Sequence, residues 1–227
     1  MKTRFFSLLI MLLLTGSLAM AQGTSKMPFG ILAGVNFQNL NGKDASGNKL
    51  ENEMLLGYHA GVNIQIPIVP QFFFQPGLLY SSKGAKNTYT VTGTEYTNKT
   101  KLSYIELPLN LVYKALLGKG FFMLGFGPYV GYAFGGKVVT SGGSSDVEQK
   151  IEFTNVVETT DDQTKPYCKA FDVGGNIFAG YEMANGIFFQ FNTQLGMVNI
   201  KPEYKILPDD KSLIKNTGFG LSLGYRL

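Results

Sequence analysis

Tryptophan is absent from the 227 residues, histidine occurs once as His59, and cysteine occurs once as Cys168. A lone cysteine rules out an internal disulfide and every zinc pattern built on paired cysteines. After Ala21 there is no run of 18 apolar residues and few windows carry a sustained helical apolar face, so neither a spanning helix nor a helical domain is expected. Charge is also scarce. Asp, Glu, Lys and Arg make up 16% of the chain, and the net of +4 falls to +2 without Lys2 and Arg4. With no clustered basic stripe, that balance argues against a nucleic-acid partner.

The first segment does contain an apolar run. Lys2 and Arg4 precede a greasy stretch from Phe5 to Leu14, and Ala19-Met20-Ala21 supplies small residues for cleavage. Residues 1–21 therefore read as a secretory signal peptide, and Gln22 as the start of a single mature domain, 22–227. No cysteine follows the expected cleavage site, so no lipid anchor is expected there.

The remainder is rich in glycine, phenylalanine and tyrosine, and its hydrophobic period is two. Alternating segments fall near 28–38, 55–66, 71–83, 102–114, 121–137, 167–182, 187–198 and 217–227, giving about eight strands. Brief turns (Pro67 to Pro70, Leu116 to Gly120, Ala184 to Gly186) alternate with long polar links (Asn39 to Met54, Gly84 to Lys101, Val138 to Pro166, Asn199 to Asn216). Short turns at one end and long loops at the other predict a closed, antiparallel, up-and-down transmembrane β-barrel with periplasmic turns and extracellular loops.

Side-chain parity supports a membrane barrel over a soluble one. One face carries Ile31, Val35, Phe74, Leu78, Ile105, Leu107, Phe126, Val130, Ile177, Phe191, Leu221 and Leu223 without a charge. Aromatic residues bracket this face: Phe29, Phe72, Tyr113, Phe122, Tyr181, Phe189 and Tyr225 form the girdle at the short-turn end. Phe37, Tyr58, Tyr80, Tyr132, Phe171 and Phe219 lie toward the loops. Ten residues from Phe122 to Tyr132 span roughly 25 Å of membrane normal at about 40° tilt, the height of an apolar band. The opposite parity holds glycine and polar residues, including Gly34, Gly125, Gly135, Gly224, Asn36 and Gln190, as a narrow filled lumen requires. A lipocalin-like soluble barrel would invert this polarity. Pro76, Pro108 and Pro128 fall inside strands, and a β-bulge is expected at each.

Several strings resemble a known family: Tyr104-Ile105-Glu106-Leu107-Pro108-Leu109, Gly127-Pro128-Tyr129-Val130-Gly131-Tyr132, Phe171-Asp172-Val173-Gly174 followed by Gly180-Tyr181-Glu182, and the terminal Gly224-Tyr225-Arg226-Leu227. In order and spacing they resemble the PorT-type small outer-membrane β-barrel proteins of the Bacteroidota, over essentially the whole mature chain. The resemblance implies outer-membrane residence and folding by the barrel-assembly machinery from a C-terminal strand signal. That signal usually ends in Phe, and here it ends in Leu227. The family's namesake is linked to a gliding-associated secretion system, but no shared catalytic motif can be carried over.

Inward-facing His59, Lys83, Glu106, Asp172, Glu182 and Arg226 are expected to form a structural polar cluster, because buried charges must be paired. A dyad of His59 with Ser81 or Ser222, as in lipid-modifying barrel enzymes, lacks an evident oxyanion site. Asp161-Asp162 and Asp209-Asp210 lack the spaced ligands of a calcium loop. No catalytic residue, metal or cofactor is therefore assigned. The expected partners are outer-membrane lipid, lipopolysaccharide and a protein met through the loops. The expected role is structural or surface-binding, with a narrow porin, a secretion component and a lipid-modifying enzyme as alternatives.

Overall fold

The computed structural model describes residues 28–142, 146–207 and 210–227, so the expected leader Met1 to Ala21 lies outside the described residues. Among these described residues fourteen strands follow in order: β1 (Phe29–Lys43), β2 (Leu55–Ile64), β3 (Ile66–Val69), β4 (Phe72–Val91), β5 (Thr94–Leu117), β6 (Gly120–Ser141), β7 (Val147–Lys150), β8 (Glu152–Phe153), β9 (Val156–Val157), β10 (Tyr167–Cys168), β11 (Phe171–Glu182), β12 (Ile187–Gly196), β13 (Glu203–Tyr204) and β14 (Leu213–Arg226). Each of the eight sequence segments corresponds to one wall of a ring. The ring runs β1, β2, β4, β5, β6, β11, β12, β14 and back to β1, antiparallel throughout. β3 extends β2 along β4 in unchanged register as far as Pro67, since His59 faces Ser81 and Ile66 faces Phe74.

Closure is made by the longest unshifted seam to the first strand, from Gly30 opposite Arg226 to Lys43 opposite Leu213. Every wall therefore pairs on both sides, which is the condition for a sheet to sit in hydrocarbon. Outward side chains such as Ile31, Leu78, Phe126, Ile177 and Leu221 are exposed, whereas their neighbours Asn36, Gln75, Asn176 and Ser222 are buried. Glycines face the largest lumen groups. A Cβ on Gly125 would lie 2.2 Å from the Phe178 ring, and one on Gly224 would lie 2.2 Å from the Phe188 ring.

Four expectations need correction. Gly84 to Lys101 is not a loop: β4 and β5 stay paired up to Val91 and Thr94, and Thr92 and Gly93 close the hairpin with φ of 51° and 81°. Two consecutive left-handed residues match the twist of a two-residue hairpin. The turn expected at Pro67 to Pro70 is mostly strand, with Pro67 to Val69 in β3 and left-handed Gln71 (φ 72°) turning the chain into β4.

The three prolines do not produce bulges. Pro76 faces Leu109 and Leu79 still faces Glu106, while Pro108 faces Tyr129 and Leu111 still faces Phe126. The prolines occupy neighbouring strands side by side, so shared two-residue gaps in the ladder absorb the missing N–H groups and the register resumes. Register shifts lie elsewhere: between Pro67 and Val69 in the β3–β4 pair, and at Phe134 in β6, where Ser103 pairs with Gly135 but Tyr104 pairs with Ala133. The extra residue at Phe134 reverses the parity of β6 above that point. Gly135, expected inward, consequently faces outward with Ser103 as its nearest neighbour, and Gly136 turns in against Leu102 and Ile151.

Candidate functional site

From the short-turn end upward, the lumen is built in layers. At the bottom, strands β11 and β14 place Glu182 beside Arg226, with Nε 2.8 Å from Oε2. Lys114 of β5 reaches the other oxygen of Glu182 at 2.7 Å and donates to Gln65, which donates to Gln75. Arg226 also donates to Asn63 at 2.9 Å, and its guanidinium lies over the Phe188 ring. Val112, Met123, Phe178 and Phe188 pack beside this layer.

The middle layer surrounds His59. Its Nδ1 lies 2.6 Å from Asn36 Oδ1 and its Nε2 lies 2.7 Å from Ser222 Oγ, which also accepts from Asn192. Ser81, the other serine considered from sequence, is bonded instead to Asn36. The distances suit a serine, a base and an orienting amide. However, all three groups are buried, and the adjoining cavity has a volume of only about 60 Å³. That space suits a few water molecules and is far below the size of ordinary ligand pockets.

Above it, Lys83 bridges Glu106 at 2.6 Å and Asp172 at 3.1 Å, and each of these side chains is essentially inaccessible. Asp172 accepts from the Tyr129 hydroxyl and from Asn216, Glu106 accepts from Gln194, and Lys83 lies 4.3 Å from the centre of the Tyr129 ring. The upper layer holds one cation and two anions, whereas the lower holds two cations and one anion. Between them the buried charges cancel.

An apolar plug closes the mouth. Leu40, Ala85, Leu102, Tyr104 and Ala133 from the strand extensions meet Ile151, Cys168 and Ile200 from the loops. Short parallel pairings, β8 with β10 and β9 with β13, tie the segment after β7 to the segment before β14 as one cap. Backbone bonds from Ile151 to Gly136 and from Lys169 to Ile200 seat that cap on the barrel. Burial, with the nearby Asp172 charge adding to it, pushes the Cys168 thiol up to about 12. At the tip of the β4–β5 hairpin, Tyr89 and Tyr96 stack with ring centres 5.8 Å apart.

The sequence cluster is thus divided: Lys83, Glu106 and Asp172 belong to the upper layer, Glu182 and Arg226 to the lower, and His59 to the space between. Lys114 was missed, as were the Tyr104, Tyr129 and Asn216 partners. Parity with outward Tyr113 was the signal available for Lys114, but its strand was expected to stop there. Phe29, Phe72, Tyr113, Phe122, Tyr181, Phe189 and Tyr225 all lie at the short-turn end, one on every wall except the β2–β3 wall, and Phe72 packs on Tyr113 at 5.1 Å. Asp161 and Asp162 cap the loop amides of Glu158 and Thr164, and Asp210 is held by Lys201. Asp209 lies outside the described residues, and among those described no group of acidic, His or Cys side chains is arranged to hold a metal.

A closed eight-walled antiparallel ring with a greasy exterior and a polar, filled interior defines an outer-membrane β-barrel protein. The chain belongs to the family described as "Outer membrane protein beta-barrel domain", whose model matches residues 20–201. This membership places the protein in the outer membrane. Similar solved structures include Ail, the attachment invasion locus protein of Yersinia pestis (10% identity, 89% of this chain and 100% of that one, TM-score 0.39). They also include Neisserial surface protein A (10% identity, 88% and 97%, TM-score 0.42) and the COG4313 outer membrane channel of Pseudomonas putida F1 (9% identity, 88% and 95%, TM-score 0.31). No curated protein matches the chain.

Proposed function

We propose that this protein is a non-conducting, non-enzymatic barrel that displays its extracellular β-structure for binding at the cell surface. The observation that carries this reading is the pair of buried charge layers beneath an apolar plug, which together fill the axis a solute would have to cross. The projecting β4–β5 hairpin and the tied cap are then the parts free to meet a protein partner, outer-membrane lipid or lipopolysaccharide. The seven aromatic residues at the short-turn end act as the periplasmic girdle, and residues 1–21 act as a cleaved leader before the barrel domain 22–227. Export, insertion by the barrel-assembly machinery and a place among the PorT-type barrels of the Bacteroidota complete the reading, supported by the strings quoted above.

Planar-bilayer recording of the folded protein tests it, and the expected trace is flat. Reproducible conductance steps would replace this reading with a narrow porin. Edman sequencing of the exported protein should begin at Gln22. The geometry of Ser222, His59 and Asn36 is the one observation that favours an enzyme. Under the structural reading, His59→Ala leaves the host's lipid A mass spectrum unchanged and lowers only the thermal stability of the barrel.

A further inference from the structure

The parity reversal at Phe134 has a consequence on the outer wall. It turns Lys137 outward and sets it directly opposite Lys101 on β5 and Lys150 on β7, so that three ammonium groups share one row across three adjacent strands. Like charges facing each other in a ladder repel. Lys137 is met by Glu148 at 2.9 Å, whereas among the described residues no carboxylate pairs with Lys101 or Lys150. The row borders a groove of about 520 Å³ that also includes Ser82, Ser103, Tyr58 and Tyr80. Beneath it lies an aromatic shelf, with Tyr58 5.5 Å from Tyr80 and Tyr80 6.1 Å from Phe134; Tyr58 and Phe134 are exposed and Tyr80 is half-buried. That shelf adjoins the exposed apolar side chains Leu56, Ile105 and Tyr132.

We propose that this groove binds the phosphate-bearing headgroup of an outer-leaflet lipid. The lysine row receives the phosphate, the serine hydroxyls bond its sugar or phosphate oxygens, and the aromatic shelf receives the first part of the acyl chains. An amphiphile is the occupant because one molecule then covers both the cationic row and the apolar shelf, whereas a soluble anion covers only the first. The site rests on the outer-membrane address and narrows the lipid-binding part of the proposed function to one groove, so its failure leaves the non-conducting reading, which bilayer recording tests, untouched.

The test uses the full folded barrel in detergent, with diphosphorylated lipid A as the probe, its dephosphorylated form as a comparison and inorganic pyrophosphate as a soluble competitor. Replacing Lys101, Lys137 and Lys150 together by Gln should weaken lipid retention about a hundredfold, given roughly a fivefold contribution from each cation near an anionic surface. Lys49→Gln, Lys119→Gln and Lys205→Gln combined remove the same charge elsewhere and should change little. The single Lys150→Gln, on β7 outside the ring, guards against misfolding of the triple variant and should give a partial loss. Dephosphorylated lipid should bind weakly to the parent, and pyrophosphate should not displace the lipid. Equal retention by parent and Lys150→Gln, equal binding of the dephosphorylated lipid, or displacement by pyrophosphate each overturns the proposal.

Discussion

The Lys83 side chain has no solvent-accessible surface, and among the described residues its ammonium is the only cation paired with Glu106 and Asp172. Removing it strands two buried carboxylates, so Lys83→Met should cost about 3–5 kcal/mol, read as a lower urea midpoint for the heat-shifted folded band. Changing Glu106→Gln and Asp172→Asn alongside it should recover much of that loss. Gly224 is a second sensitive position. An added methyl meets the Phe188 ring at 2.2 Å and the Ile31 carbonyl at 2.5 Å, and the backbone neighbour cannot swing away. Gly224→Ala should therefore destabilise the barrel by roughly 1–3 kcal/mol, and Gly224→Ala with Phe188→Leu by less, measured by the same unfolding curve. Cys168 is held as a neutral thiol, so maleimide at pH 7 to 8 should label it only after unfolding.

The β4–β5 hairpin shows how far an element can extend beyond the membrane without losing order. Its ladder is unbroken from Ser82 opposite Ser103 to Val91 opposite Thr94, and it leans on the preceding loop through Lys86 with Glu53. Because its upper part contributes little to the lumen core, replacing Asn87 to Asn98 by Asn-Gly should leave the unfolding midpoint of the barrel unchanged while removing the Tyr89–Tyr96 stack. A large drop in that midpoint would mean that the hairpin is part of the folding unit. Period-two patterning made the lower strands legible, since lipid on one side and a crowded axis on the other impose strict alternation. Above the membrane both faces meet water or loops, alternation relaxes, and Gly84 to Lys101 looked like a polar loop. The bulge at Phe134 was equally hidden, because Phe134-Gly135-Gly136 carries no proline and fits either parity.

At the level of the whole molecule, the barrel is closed in two different ways. Charge layers lock the axis within the membrane, and the apolar plug seals the extracellular mouth. The second closure depends on loop residues from distant parts of the sequence, so Ile151→Ser with Ile200→Ser should loosen the plug and make Cys168 reactive to maleimide in the folded protein. The lumen layers should nevertheless keep that variant electrically silent in a bilayer. If the double variant conducts, the plug rather than the charged axis is the barrier.

The class of this protein, its eight walls and the facing of nearly every membrane-level side chain were determined by the sequence alone, because a hydrocarbon solvent dictates polarity residue by residue. The division of the lumen charges, the loop plug and the outward row of Lys101, Lys137 and Lys150 were decided only by the tertiary structure. Each of these depends on which residues from remote strands meet at one height. That height is set by register and by a single extra residue in β6, and local patterning carries neither.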